Sequence, residues 1–190
     1  MSWSRSIAAA ADRVLDPSIV LSFDRSGFSR HQRGFSPGDL DADMGGRVCA
    51  ITGANSGIGL ATTKALAARG AEVWMLCRNA ERGEKARAEV EAQTNNANVR
   101  LAIVDVSDVE KVKRFARDWP VQKLDVLVHN AGALFSERAV NPQGLELTLA
   151  TNLVGPLALM AGLVERLSEG HLPRVIWVSS GGMYTQKLRV

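Results

Sequence analysis

Three glycines, Gly53, Gly57 and Gly59, stand where an apolar run stops at Thr52 and an Ala/Leu-rich segment begins. A strand that turns directly into a helix presents free backbone N–H groups at the helix start, and the helix dipole adds partial positive charge there. An anion reaches those groups only if no side chain stands in the way. Glycine removes the side chain and permits the backbone angles of such a turn. The stretch TGANSGIG therefore reads as a pyrophosphate seat within a β–α–β unit, built from Thr52, Gly53, Asn55, Ser56, Gly57, Ile58 and Gly59. The chemistry it supports is dinucleotide binding.

A second signal lies where the next strand ends, in MLCRN. A site that prefers NAD places a carboxylate there, to accept hydrogen bonds from the ribose hydroxyls. Cys77 occupies that place and Arg78 follows. A guanidinium suits a 2′-phosphate through planar, charge-assisted contacts, and a carboxylate would repel it. NADP(H) is therefore favoured over NAD(H). The alternative is a solvated arginine just past a strand, which leaves the preference open.

These residues need a scaffold, and the chain supplies one by regular alternation from Arg47 onward. RVCAIT, AEVWMLC, NVRLAIVDV, KLDVLVHNAG and LPRVIWVSS read as strands. SGIGLATTKALAARG, NAERGEKARAEVEAQT, SDVEKVKRFARDWP and GLELTLATNLVGPLALMAGLVERLSEG read as helices. Gly70 is a stop for the first, and Ser107 with Glu110 forms a capping box for the third. The strands are near-continuous apolar runs, the mark of a parallel sheet covered on both faces. The expected fold is α/β, a Rossmann-like doubly wound parallel sheet of order 3-2-1-4-5.

Residues 1–45 form an N-terminal arm and residues 46–190 the dinucleotide-binding domain. Within the arm, residues 1–15 could form a short helix with Arg5 and Arg13 on its polar side. The rest reads as an irregular segment pinned by Phe23, Phe28 and Phe35.

With 190 residues, 46% apolar and 23% charged, the chain has the composition of a soluble globular domain. Its net charge of +3 is slight and its basic residues are scattered, which argues against a nucleic-acid partner. No apolar run reaches the roughly 20 residues that a membrane span needs. Cys49 and Cys77 fall on neighbouring strands and read as buried free thiols in a reducing compartment. A cytoplasmic location is the default. A mitochondrial transit peptide in the Ser/Ala/Arg-rich first fifteen residues is the alternative.

The sequence resembles the short-chain dehydrogenase/reductase superfamily. Thr52, Gly53, Gly57 and Gly59 match its TGxxxGxG motif. Asp105, followed by Val106, matches the aspartate after its third strand. HNAG keeps Asn130, Ala131 and Gly132 of its NNAG motif, with His129 as a departure. Asn152 fits the asparagine of the following helix, and Ser179 and Ser180 fit the VSS-type end of its fifth strand. A narrower resemblance is to the member-twelve branch of that superfamily, in MSWSRS, FDRSGF, PGDL, VSSGGM and QKL. On that resemblance the arm is a family feature.

The resemblance implies reversible reduction of a carbonyl to an alcohol, on a small-molecule substrate, by Ser, Tyr and Lys. Ser180 is the implied catalytic serine, with Ser179 as the alternative. It would polarise the carbonyl oxygen. Asn152 would orient the lysine through water, or is a structural amide at a helix kink. Asp105 would accept from the adenine amino group, or is a turn residue. His129 reads as a packed histidine donating to backbone rather than a base.

The Tyr-x-x-x-Lys pair does not occur in these residues. Tyr184, with Lys187 three positions on, comes too soon after Ser180 and reads as a loop residue lining the cleft. The sequence is thus expected to be a cofactor-binding portion without its C-terminal catalytic part. The rival expectation is a non-catalytic dinucleotide-binding or scaffold subunit. Its fifth strand would expose an apolar edge, for a homo-oligomer or partner chain to cover.

Overall fold

The computed structural model describes Leu15, residues 24–36, Gly38 and residues 40–181. Two compact units divide the chain: Met1–Ala42 with Ser179–Val190, and Asp43–Val178.

In the first unit, Asp24 starts helix α1 (Arg25–His31). Its carboxylate accepts the Gly27 N–H at 2.8 Å and the Ser26 hydroxyl at 2.7 Å. Arg30 and His31 sit in the last turn, where the helix dipole favours them. A 3₁₀ turn, Gln32–Gly34, follows, and the rings of Phe28 and Phe35 meet edge to face, 6.5 Å apart. This corrects the expected irregular segment: a good N-cap and favourable last-turn charges make a short helix where composition alone points to a loop. Both rings are exposed, so they pair with each other rather than pin a core. All but Leu15 of the helix expected over residues 1–15 lies outside the described residues, as do Phe23, Tyr184 and Lys187.

In the second unit, β1 (Val48–Thr52), β2 (Glu72–Cys77), β3 (Val99–Ile103), β4 (Val126–His129) and β5 (Arg174–Trp177) form a parallel sheet. Its order, β3-β2-β1-β4-β5, is the expected one. Every residue of β1 is buried, because helices cover both faces. Val48 and Ala50 face one cluster with Leu76 and Leu127, and Cys49 and Ile51 face the other with Val73 and Met75. Helices α2 (Gly57–Ala67) and α3 (Ala80–Thr94) close the second cluster with Ala67, Ala86 and Val90. Helices α4 (Val109–Arg117) and α5 (Leu147–Ser168) close the first with Val112, Ala116, Leu159 and Leu163. Ile176 and Trp177 of the outer strand β5 are exposed.

Two local expectations need correction. The cap of α4 is Asp108, whose carboxylate accepts the Lys111 N–H at 3.2 Å. The Ser107 hydroxyl is already engaged, donating to Asp105 at 2.7 Å. The second correction concerns α5, which is long and apolar enough by length and composition to cross a membrane. Its interruptions by Thr, Asn and Gly hide this in the sequence. In the fold, Leu159, Leu163 and Leu167 pack onto the sheet, while Leu153, Leu157 and Val164 face outward.

The ends of the sheet differ. At the amino ends of the strands, buried Asp125 accepts the Val48 N–H at 2.8 Å and the His171 N–H at 2.7 Å. At the carboxyl ends the loops open outward, and there doubly wound sheets bind ligands.

Candidate functional site

β1 leads into α2 through Gly53–Ser56, and every feature of this turn keeps it open. Gly53 has φ +66°, and a Cβ there would lie 3.0 Å from Ala131 Cα. Gly57 has φ +53°, and a Cβ there would meet no atom within 4 Å. A Cβ on Gly59 would press into the Gly53 carbonyl and the Asn130 amide. Ser56 stands at the helix start without capping it, so its side chain does not take up the first amides of α2.

The loop is braced from β4. Thr52 Oγ1 accepts the N–H groups of both Asn130 and Ala131 at 3.0 Å. Asn130 Nδ2 donates to the carbonyls of Thr52 and Gly53, at 3.0 and 3.2 Å. Gly53 N–H donates to the Leu76 carbonyl at 2.9 Å, which ties the turn to β2 as well.

Above this turn lies a cavity of about 420 Å³, built wholly within Asp43–Val178. The glycine turn contributes Gly53, Asn55, Ser56 and Ile58, and the end of β2 contributes Leu76, Arg78, Asn79 and Arg82. Val104, Asp105 and Val106 follow from β3, and Asn130 to Ala133 from β4, with Thr151 reaching in from α5. A depression of about 510 Å³ on α4, lined by Asp108, Lys111 and Arg114, touches none of these residues.

The structure thus gathers Gly53, Asn55, Ser56, Ile58, Arg78, Asp105, Val106, Asn130, Ala131 and Gly132 around one cavity. Thr52, Gly57 and Gly59 support the turn without lining it. Asp105 lines the cavity and also holds a turn, accepting the Ser107 N–H at 3.0 Å. Asn79, Arg82 and Thr151 escape the sequence reading. For Arg82 the signal is present, since it lies one turn past Arg78 in RNAERG.

Asn152 lies in a π-helical turn, Ala150–Val154, at the start of α5. Its side chain grips the backbone of Ala133 twice, accepting the N–H at 2.9 Å and donating to the carbonyl at 2.8 Å. It thereby fixes the loop after β4. Ser179 and Ser180 belong to the first unit, where both are exposed.

His129 is packed but not as a backbone donor. It is 3% exposed, its ring lies 4.3 Å from Trp177, and neither nitrogen has a hydrogen-bond partner among the described residues. Burial pushes it down to about 4, so it is neutral at physiological pH. Burial likewise pushes the thiols of Cys49 and Cys77 up, to about 12 and about 11. Both cysteines are free and inert as nucleophiles.

The short chain dehydrogenase family model matches residues 47–187. The chain belongs to the short-chain dehydrogenase family. Human dehydrogenase/reductase SDR family member 12 is 41% identical to this short-chain dehydrogenase over 170 residues, covering 89% of the chain and 54% of the relative. Bovine retinol dehydrogenase 12 is 36% identical over 151 residues, covering 78% and 48%. The chain spans about half the length of the curated relatives it matches.

Among solved structures, an uncharacterized protein from Mycobacterium paratuberculosis matches with TM-score 0.61 and 36% identity, over 70% of this chain and 46% of that one. A short chain dehydrogenase from Shigella flexneri, complexed with NADP, matches with TM-score 0.65 and 25% identity, over 76% and 64%. The family binds a nicotinamide dinucleotide, and the glycine turn of this member fits one: the first amides of α2 carry no side-chain cap, and Gly53, Asn55, Ser56 and Ile58 of the turn line the cavity.

Proposed function

We propose that the chain is the dinucleotide-binding portion of an NADP(H)-dependent short-chain oxidoreductase, which interconverts a carbonyl and an alcohol on a small molecule. The observation that carries this reading is the end of β2. There the cavity is lined by the Arg78 guanidinium, with no carboxylate from that strand end beside it. The NADP complex of the Shigella flexneri relative supports the same choice.

A bound nicotinamide dinucleotide supplies or takes up the hydride. The chain's own residues bind and orient it. The amides at the start of α2 would hold the pyrophosphate, and Thr52 and Asn130 keep that turn in shape. Asp105, which lines the cavity, would accept from the adenine amino group. Asn152 sets the loop after β4 through Ala133. Ser180, by its match to the family motif, is the residue that would polarise the substrate oxygen.

One experiment tests this reading. The full chain is titrated with NADPH and with NADH, then assayed for NADPH oxidation on a panel of aldehydes. Retinal belongs in the panel because relatives are named retinol dehydrogenases. Tighter NADPH binding is expected, and tighter NADH binding overturns the cofactor assignment. Aldehyde-dependent oxidation of NADPH supports the oxidoreductase reading.

A further inference from the structure

The helix α1 of the N-terminal arm and the 3₁₀ turn after it contribute no residue to the cavity. They carry a pair of rings in water. Phe28 is 58% exposed and Phe35 is 55% exposed, and the two meet edge to face at 6.5 Å. Leu40, five residues further on, is exposed as well. A single exposed ring is ordinary on a protein surface. Two in contact, followed by a leucine, make an apolar patch that marks a surface to be covered.

Cations accompany the rings. From Arg25 to Ser36 the sequence holds Arg25, Arg30 and Arg33 and no acid. Arg25 lies three positions before Phe28 on α1, hence on the same face of the helix, and Arg33 lies two before Phe35 in the turn. Among the described residues, neither Arg25 nor Arg33 makes an ion pair, whereas Arg87 in the other unit is held by Glu84 and Glu91. The nearest preceding acid, Asp24, is engaged as the helix cap by the Gly27 N–H and the Ser26 hydroxyl. Asp39 and Asp41 follow only after the turn, on either side of Leu40. One short element thus offers exposed aromatic rings together with unpaired guanidiniums.

We propose that this helix and turn dock the chain on an anionic lipid surface, with Phe28 and Phe35 entering the headgroup layer and Arg25 and Arg33 meeting lipid anions. Charge complementarity selects an anionic occupant. Size selects a bilayer over a protein. A seven-residue helix and a three-residue turn fall well short of the roughly 20–30 residues that a stable protein interface takes from each side. A bilayer asks for no matching shape: it admits the rings and surrounds the arginines with anions. Each basic residue near such a surface strengthens the partition roughly fivefold. So short an element binds weakly and reversibly, lies on the membrane rather than across it, and releases as salt rises.

The test is sedimentation of the full chain with vesicles of phosphatidylcholine alone, and of phosphatidylcholine with about a third phosphatidylserine. Wild type is compared with two double variants, Phe28→Ser with Phe35→Ser and Arg25→Gln with Arg33→Gln. Thermal melts check that each is folded. Wild type is expected to bind the anionic vesicles at least roughly tenfold more tightly than the neutral ones, and to come off them at high salt. Each double variant is expected to weaken binding to the anionic vesicles roughly tenfold or more. No binding by wild type overturns the proposal. Equal binding to both vesicles overturns it too, because the arginines then play no part. Undiminished binding by the phenylalanine variant places the contact elsewhere on the chain. Binding to a polyglutamate peptide but not to vesicles, lost in the arginine variant, identifies an acidic protein partner and overturns the lipid assignment.

Discussion

Thr52 and Asn130 clasp each other across the seam between β1 and β4. The Thr52 hydroxyl accepts the Asn130 N–H at 3.0 Å, and Asn130 Nδ2 donates back to the Thr52 carbonyl at 3.0 Å. The same amide reaches the Gly53 carbonyl at 3.2 Å, so β4 sets the shape of the glycine turn from beneath. Asn130→Ala leaves two carbonyl oxygens short of a donor in a half-buried place, at a cost of about 1–3 kcal/mol. Thermal unfolding is expected to show a lower midpoint, and titration a weaker affinity for dinucleotide. Asn130→Asp is expected to be worse, because it turns a donor into an anion facing two carbonyls. A harmless Asp variant would show that the donor does not matter.

Gly57 and Gly59 should separate binding from stability. Gly59→Ala pushes a methyl group into the Gly53 carbonyl and the Asn130 amide, so the clasp itself must shift. A loss of about 1–3 kcal/mol in urea denaturation is expected. At Gly57 a methyl group meets nothing within 4 Å, and the strain comes only from φ +53°. That strain costs about 1–2 kcal/mol. Gly57→Leu is expected to remain folded yet lose most dinucleotide binding, since it adds bulk in open space at the first turn of α2, where the pyrophosphate would be held. Retained affinity in Gly57→Leu would contradict the role given to this turn.

Asp125 is expected to matter for folding alone. Burial pushes its carboxyl up, but the N–H groups of Val48 and His171, with Lys123 and Arg47, bring it below the usual carboxylate range. Replacement by Ala strands the buried Val48 amide and the part-buried His171 amide at the amino ends of the strands. A loss of about 3 kcal/mol or more is expected in chemical denaturation. Affinity for dinucleotide, measured at a temperature where the variant is still folded, should be unchanged, because Asp125 sits at the opposite end of the sheet from the cavity.

The sheet order is legible in the sequence because VCAIT, EVWMLC and their fellows are apolar on both faces, and only a covered parallel sheet asks for that. The glycine turn is legible because its residues are local to one another. What distant residues decide is not legible. Thr151 reaches the cavity only because α5 begins beside β4, and Asn152 finds Ala133 across 19 positions. The cap of α4 fails for a nearer reason. SDVE offers two N-cap candidates, and the competition is settled by Asp105, which claims the Ser107 hydroxyl. Asp24 is a cap signal masked by the loop-like composition around it. The ring nitrogens of His129 find no partner because β5 brings Trp177 against them, a pairing that the sequence of β4 does not contain.

That histidine gives the fold an acid-sensitive element. His129 is pushed down to about 4 by burial, from an ordinary value of 6.5, so it is neutral in the folded chain. The unfolded chain takes up a proton as pH falls below about 6.5, while the folded chain resists until near 4. Stability is therefore full above pH 6.5 and drains away between there and 4, by on the order of 3 kcal/mol. His129→Leu keeps a side chain of similar bulk and removes the proton. The variant is expected to equal or exceed wild type at pH 7.5, because two unpartnered nitrogens are gone. Its denaturation free energy should change much less than that of wild type between pH 6.5 and 4.5. Asp108 and Asp125 also titrate below their ordinary range, but they do so in both proteins and cancel in the difference. Parallel pH profiles for the two proteins would mean that the imidazole charges as readily in the fold as out of it, and that Trp177 does not seal it from water.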